Sequence, residues 1–474
     1  MNHRTGLDRS QTLLFPERLE DYIAPENPVR FLDAFVAKLD LRSLKFAKAN
    51  CANTGRPPYD PAALLKLYLY GYLHRVRSSR TLEAECHRNV EVIWLLGKLT
   101  PDFKTIADFR KDNLSPLKAV ARQFTLFCRK LDLFGGELLA IDGSKFAAVN
   151  ARSQNFNADK LKDLIARSDA RLAEYLQALD TADTAEPASA TLTKTELTAK
   201  IAALQDRQDW HKELLAELDD EQKQISVTDP DTRKMPTAHG SVVGYNAQLA
   251  VDAKHKLIAA DDVTNDVNDL HQLADVALDA KANLEIQQAE ILADTGYYNT
   301  SQVGRCLDHG LTPFIPKSDT SANTARGLYG KSQFKYDTVS DVYVCPAGAE
   351  LTYRFTTWEQ DREIKYYRAS TCNHCPLKTR CTRNKDNRTI TREANEHLME
   401  AMAQRMKQHP EKFKVRKTLA EHPFGTIKRW FGYTHFLLKG LPKVRCEWSL
   451  TTLAYNLKRV LNLVSFEKLM AAVG

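Results

Sequence analysis

A chain of 474 residues, 43% of them hydrophobic, is longer than a single core usually supports and too apolar for disorder, so two to four structural units are expected. No run of eighteen apolar residues occurs and Met1 to Asp21 carries no signal-peptide pattern, which argues against a membrane-spanning helix and for a soluble, intracellular protein. The net charge of +7 is modest, but where it sits is informative.

Residues 1–130 read as helical. After RPPYDP (Arg56 to Pro61), Leu64, Leu65, Leu67, Leu69, Tyr70 and Leu73 are apolar nearly all round, as in a helix buried within a bundle. A helix follows from Ser79 to about Arg88. PDFKTIADFRKDN (Pro101 to Asn113) then carries Ile106 and Phe109 on one face, with Lys104, Arg110 and Lys111 elsewhere. Short helices, tight turns and a basic helix fit a helix-turn-helix DNA reader with Arg110 and Lys111 as contacts, and equally a bundle that touches only protein.

GELLAIDGSKFAAV (Gly136 to Val149) predicts a short buried strand, Leu138 to Ile141, that delivers Asp142 at its end before Gly143. An acid so placed serves chemistry or a metal, or caps the following turn. Residues 157–227 are of another character. Leu161, Ile165, Leu172, Tyr175 and Leu179 follow a heptad seam, as do Leu197, Ile201, Leu204, Leu215 and Leu218, with Gln208 and His211 interrupting the second. Thr193 and Glu196 form a capping box for that second helix. The expectation is a projecting helical hairpin, either a structural arm or a surface for dimerisation or DNA.

Strand character returns with GYNAQLAVDA (Gly244 to Ala253) and KLIAADDV, followed by a helix from Asp269 to Ala282. AEILAD (Ala289 to Asp294) then repeats the earlier device, a short buried strand ending in an aspartate. If the two strands are neighbours, Asp142 and Asp294 stand side by side, as in a divalent-metal site. A helix from about Asn299 and a strand in LTPFIPK (Leu311 to Lys317) complete a five-stranded set.

Residues 318–395 hold four of the nine cysteines. Cys372, Cys375 and Cys381 have C-x2-C-x5-C spacing, and Cys345 lies upstream in a CPAG turn. Such thiolates fit a structural tetrahedral zinc, with His374 as an alternative ligand, or they are four reduced cysteines in a small subdomain. The other five are scattered singly, as in a reducing compartment.

From Glu411 to Val460 there are eleven Lys or Arg against three Glu, a local excess of eight that exceeds the whole-chain charge. This suits a polyanion such as DNA, or forms a solvated basic surface. Within RKTLAEHPFGTIKRWFG (Arg416 to Gly432), Lys417, Glu421 and Lys428 fall near one helical face. Glu421 is either a surface ion-pair partner or a third acid to set beside the two aspartates.

Taken together, RPPYDPAALLKLYLYGYLHRVRSSR, PDFKTIADFR, AIDGSKF, GYNAQLAVD, ILADTGYYN, CNHCPLKTRC and AEHPFGTIK resemble the DDE transposases of bacterial insertion sequences, closest to the IS-five-like superfamily and its subgroup numbered eleven-eighty-two. The resemblance implies an α/β catalytic domain over 131–474 that is RNase H-like, a mixed five-stranded sheet with flanking helices. The all-α domain over 1–130 precedes it, and the helical hairpin (157–227) and the cysteine-rich stretch (318–395) are insertions. It implies Asp142, Asp294 and Glu421 as catalytic ligands of Mg2+, for which Mn2+ substitutes. It further implies two-metal in-line phosphodiester chemistry that cuts element ends and transfers strands into target DNA. The family's tyrosine, arginine, glutamate and lysine series matches Glu421 and Lys428. Its arginine place falls on Lys417, with Arg416 adjacent, and its tyrosine place on Lys414. Lys417, Lys428, Arg429 and Trp430 are candidate DNA contacts; Trp430 and Tyr433 stack on an unpaired base or pack in the core. The partners implied are double-stranded inverted-repeat ends and target DNA, with a homodimer in the synaptic complex, no membrane, and a bacterial cytoplasmic, nucleoid-associated location. A host nuclease of the same fold and a silent DNA-binding regulator are the rival readings.

Overall fold

The computed structural model describes residues 18–50, 57–184, 194–218, 224–237, 240–317, 322–359 and 362–474. Arg56, Cys51 and the Thr193 half of the expected capping box lie outside them.

Among the described residues, six α-helices come first: α1 (Pro28–Ala37), α2 (Pro61–Leu73), α3 (Ser79–Arg88), α4 (Val90–Leu95), α5 (Phe103–Asp112) and α6 (Leu114–Lys130). Side-chain caps fix most of their starts. Asn27 accepts from Val29 N–H, Asp60 from Ala62 N–H, Asn89 from Glu91 N–H and Asp102 from Thr105 N–H, satisfying donors that a helix cannot pair internally. The all-round apolar α2 is buried along nearly its whole length, as its sequence predicts.

Strand β1 (Leu138–Ala147) starts the sheet. Strand β2 (Asn155–Phe156) leads into the antiparallel pair α7 (Ala158–Thr184) and α8 (Lys194–Glu217), which β3 (Ile225–Ser226) closes by pairing with β2. Phe156, Leu161 and Leu214 make the pair's own small core. Gln208, which interrupts the seam, is buried and satisfied across it by Asp169 and the Ile165 carbonyl. Next come β4 (Arg233–Thr237), β5 (Gly240–Asp252), β6 (Ile258–Thr264), α9 (Leu273–Leu284), β7 (Ala289–Leu292), α10 (Thr300–Asp308) and β8 (Leu311–Phe314). The sheet runs β4-β5-β1-β7-β8, and the thirteen-residue β5 carries β4 and β6 in succession along its other edge. Strands β4, β5 and β6 run antiparallel to their neighbours, whereas β1, β7 and β8 are mutually parallel.

Three sequence expectations change here. The main sheet has six strands rather than five, because Arg233–Thr237 pairs with the start of β5 as an additional strand. Strand β1 does not end at Asp142 but runs ten residues, because its pairing with β5 continues to Ala147↔Gly244. Gly143 therefore lies inside the strand, opposite Gln248. Helix α9 begins at Leu273 rather than Asp269, leaving Asp269 in the loop before it.

After the short α11 (Ala322–Ala325), a second, fully antiparallel sheet forms from β9 (Lys335–Asp337), β10 (Val342–Val344), β11 (Glu350–Glu359), β12 (Arg362–Ala369) and β13 (Thr389–Glu393), with α12 (Lys378–Cys381) packed against it. Phe334, Tyr343, Leu351, Tyr367 and Ile390 are its core. The chain ends in α13 (Glu396–Gln408), α14 (Glu411–Gly425), a π-helical turn at Thr426–Trp430, α15 (Leu441–Leu463) and α16 (Phe466–Val473).

Helix α14 lies on the main sheet face that bears Ala140, where Leu419 and Ala420 meet Leu292 and Phe314. Helix α15 covers the open edge of β6: Asn456 exchanges hydrogen bonds with both backbone groups of Ile258, and Arg445 donates to the Val263 carbonyl. The N-terminal helices, α9, α15 and the sheet share one continuous hydrophobic cluster. Among the described residues no helix is long and apolar enough to cross a membrane.

Candidate active site

Strand pairing brings the two predicted aspartates together. The last rung between β1 and β7 is Ala140↔Leu292, and two residues further along each parallel strand stand Asp142 and Asp294. Asp294 lies just past β7, where its carboxylate accepts from Gly296 N–H at 2.8 Å and starts a tight turn at Thr295–Tyr297. Asp142 accepts from its neighbour Gly143 N–H at 3.0 Å. Burial is the main force on Asp142, opposed by Arg416 and reinforced by the negative charges of Asp294 and Asp269; its carboxyl is pushed up to about 6.

Two cations act on Asp142. Arg416, on α14, is mostly buried and holds its Nη1 3.7 Å from the Asp142 carboxylate, an ion pair without a hydrogen bond, and neither Nη1 nor Nε has a hydrogen-bond partner. Lys428, in the π-turn, donates to Ser144 Oγ at 2.6 Å and to the Lys145 carbonyl at 3.1 Å. Burial lowers the Lys428 ammonium from its usual range, and Asp142 works against that shift. Helix α14 reaches Lys428 through Pro423, held inside the helix, and the π-turn that follows; π-turns often mark functional sites.

Glu421 is placed differently from the aspartates. It is 60% exposed, on the α14 edge that also carries Lys417, and the two side chains approach to 4.0 Å. Ala420, the residue before it, packs against Ala140 and Leu292. Of the adjacent pair Arg416 and Lys417, it is Arg416 that approaches Asp142, while Lys417 faces Glu421. The helix turn decides this, because Arg416 is four residues before buried Ala420 and Lys417 four before exposed Glu421. That signal was readable in the apolar pattern of Leu419, Ala420 and Phe424.

Among the other predicted contacts, Arg110 is corrected. It is buried at 8% exposure, its guanidinium stacked over Tyr68 and bonded to the Tyr72 hydroxyl, because α5 turns it into the bundle with Phe109. Lys111, Arg429 and Lys417 face solvent. Trp430 is 43% exposed and sits under Arg75 at 4.3 Å, with Lys458 at 5.2 Å. Tyr433 takes the core role: it is buried, stacked on Phe431, with its hydroxyl on the Tyr72 carbonyl.

Cys345, Cys372, Cys375 and Cys381 come from three separate segments yet line one cavity of about 30 Å³, whereas exposed His374 does not. Burial raises the Cys381 thiol; Arg388 opposes this and the other three cysteines add to it. Cys372 Sγ accepts from Arg388 N–H at 3.4 Å. The eight described cysteines are all free. Among the described residues no three His, Cys, Asp or Glu side chains stand close enough, as placed, to hold a metal ion. In donor chemistry the two groups still differ usefully: clustered carboxylates suit a hard divalent cation, and four thiols suit zinc.

Sequence reasoning missed Asp269. It accepts at Oδ1 from Asn246 Nδ2 at 2.6 Å, Gln248 Nε2 at 2.7 Å and Lys145 Nζ at 3.4 Å. Its sequence context, a loop acid before a helix, carries no periodic signal.

Residues 344–461 match the family model described as a transposase DDE domain, and residues 17–112 match a second described as a transposase domain (DUF772). The first segment contains the four cysteines, Glu421 and Lys428; Asp142, Asp269 and Asp294 lie between the two segments. A solved structure described as the piggyBac transposase synaptic complex with hairpin DNA aligns over 94% of this chain and 79% of its own, at 9% identity and a TM-score of 0.30, too distant to carry weight. No curated protein matches the chain.

Proposed function

We propose that the chain is a DDE transposase of a bacterial insertion sequence, with an RNase H-like catalytic unit over 131–474 and a DNA-binding helical unit over 1–130. The helical hairpin (157–227) and the cysteine-rich stretch (318–395) are insertions in the catalytic unit. The observation that carries this reading is the pairing of Asp142 and Asp294 just past the last rung of two parallel neighbouring strands, with Arg416 and Lys428 beside Asp142.

Asp142, Asp294 and Glu421 are the ligands for magnesium or manganese in this reading. When bound, the ions activate water or a 3′-hydroxyl and stabilise the leaving oxygen of an in-line phosphodiester displacement. Arg416 has donors to spare for a phosphate oxygen, and Lys428 adds a point charge. One site serves both cutting of the element ends and joining to target DNA, so no covalent protein intermediate is needed. Lys417, Arg429, Trp430 and Lys111 face the DNA, and two ends joined together call for a homodimer. The setting is the bacterial cytoplasm, at the nucleoid. In the cysteine-rich stretch, zinc at Cys345, Cys372, Cys375 and Cys381 is structural; loss of about one bound zinc in Cys375→Ser is the expected result of metal analysis, and unchanged zinc content removes the assignment.

End cleavage and strand joining on DNA from beside the source gene, with Mg2+ or Mn2+, test the main reading. Wild type is expected to do both, and Glu421→Gln neither. Cleavage without joining favours a nuclease, binding without cleavage a regulator, and full activity in Glu421→Gln removes Glu421 from the ligand set.

A further inference from the structure

Asp269 is held by a buried frame with no other evident purpose. Asn246, Gln248 and Tyr297 are each 0% exposed. The Tyr297 hydroxyl donates to Gln248 Oε1, which fixes the amide so that Nε2 points at Asp269. Asn246 Nδ2 donates to the same carboxylate oxygen, while Asn246 Oδ1 is buried without a partner and lies 3.1 Å from where a Gly143 Cβ would stand. All three donors, the Lys145 ammonium included, converge on Oδ1. Among the described residues none donates to Oδ2.

The glycines show where Oδ2 is aimed. A Cβ on Gly296 would lie 3.0 Å from Asp294 Oδ1, the oxygen that accepts from Gly296 N–H, and 3.7 Å from the free Asp269 Oδ2, so the two carboxylates border one point. A Cβ on Gly143 would lie 2.7 Å from Asp269 Oδ1 and 2.4 Å from Gln248 Nε2. Only glycine at 143 therefore lets the Asp269 loop close onto the strand beside Asp142. A loop tether alone needs no second acid brought against Asp294, since like charges in proximity cost free energy.

We propose that Asp269 is a further carboxylate of the divalent-cation site, its Oδ1 pinned by Asn246, Gln248 and Lys145 and its Oδ2 presented with Asp142 and Asp294 to the ion. This rests on the metal-dependent reading above. Tyr297 acts as a positioning residue through Gln248. Donors that satisfy one oxygen and leave the other free orient a hard-cation ligand in the way outer partners orient ligands in known metal sites.

The test is Mn2+ binding to the full chain without DNA, read by calorimetry and by the loss of the free-ion electron paramagnetic resonance signal. Wild type, Asp142→Asn, Asp269→Asn and Tyr297→Phe are compared, with thermal melting of each as the folding control. Asp269→Asn retains an acceptor oxygen for the frame and removes the charge. It is expected to melt no lower than wild type and to bind Mn2+ about tenfold or more weakly, with Tyr297→Phe showing a loss in the same direction. Wild-type affinity in Asp269→Asn, alongside lost affinity in Asp142→Asn, overturns the inference and leaves the metal-dependent reading standing. Absence of Mn2+ binding and of DNA cleavage in the wild type overturns both. If Asp269→Asn melts early, the Tyr297→Phe affinity decides, and a wild-type value there counts against the proposal.

Discussion

Asp142, proposed above as a catalytic ligand, illustrates how such a position works against the stability of its own fold. Its carboxyl is raised from an ordinary 3.8 to about 6 by burial and by Asp294 and Asp269, with Arg416 offsetting part of this. A folded-state value above the unfolded one means stability is fully present below about pH 4 and is lost as pH rises through about 6. Asp142→Asn removes that liability. In the absence of divalent ions the variant is expected to be more stable than wild type by about 2–3 kcal/mol at pH 8, with the difference vanishing below pH 4. Denaturant unfolding across that range checks it, and equal stability at pH 8 contradicts it. The sequence showed Asp142 and Asp294 because each closes a short apolar run. It could not show Asp269, whose place depends on a loop folding back onto β5 across Gly143, nor the burial of Arg110, which follows from how α5 is turned against α2.

At the scale of elements, the contact between β1 and β5 sets the geometry around Asp142. Nine residue pairs join the two strands in register from Leu139↔Asp252 to Ala147↔Gly244. A Cβ on Gly244 would stand 1.9 Å from the Phe146 carbonyl oxygen, a backbone atom that cannot move aside without breaking the ladder. Gly244→Ala is expected to destabilise the protein by about 2–3 kcal/mol, as overpacking does, and to weaken catalysis along with it because Ser144 and Lys145, the Lys428 partners, lie in the same ladder. Thermal melting and cleavage assays check both, and an unchanged melting temperature contradicts the account. Most of these elements were legible. Helices α2, α3 and α5 and strands β6, β7 and β8 lie where their patterns put them. The exit of β1 was not legible: Gly143 looks like a strand terminator in sequence and is in fact a gap filled by Asp269 and Gln248 from other elements.

Over the whole molecule, one hydrophobic cluster ties the N-terminal helices to the sheet. A buried ion pair between Arg77, after α2, and Glu447, on α15, adds a polar tie at 3.1 Å, and Glu447 also accepts from Leu437 and Leu438 N–H. Arg75 over Trp430 and the Tyr433 hydroxyl on the Tyr72 carbonyl brace the segment carrying Lys428 against the N-terminal helices. Composition alone gave the local charge excess but not this bracing, since the contacts join residues hundreds of positions apart.

The central claim is that the neighbouring strand-borne aspartates perform metal-dependent phosphodiester chemistry on DNA. The most direct test is Mg2+-dependent cleavage of element-end DNA by wild type and Asp294→Asn, with DNA binding measured on the same samples. The expected result is cleavage by the wild type and none by a variant that still binds DNA. Cleavage by Asp294→Asn at the wild-type rate would contradict the claim.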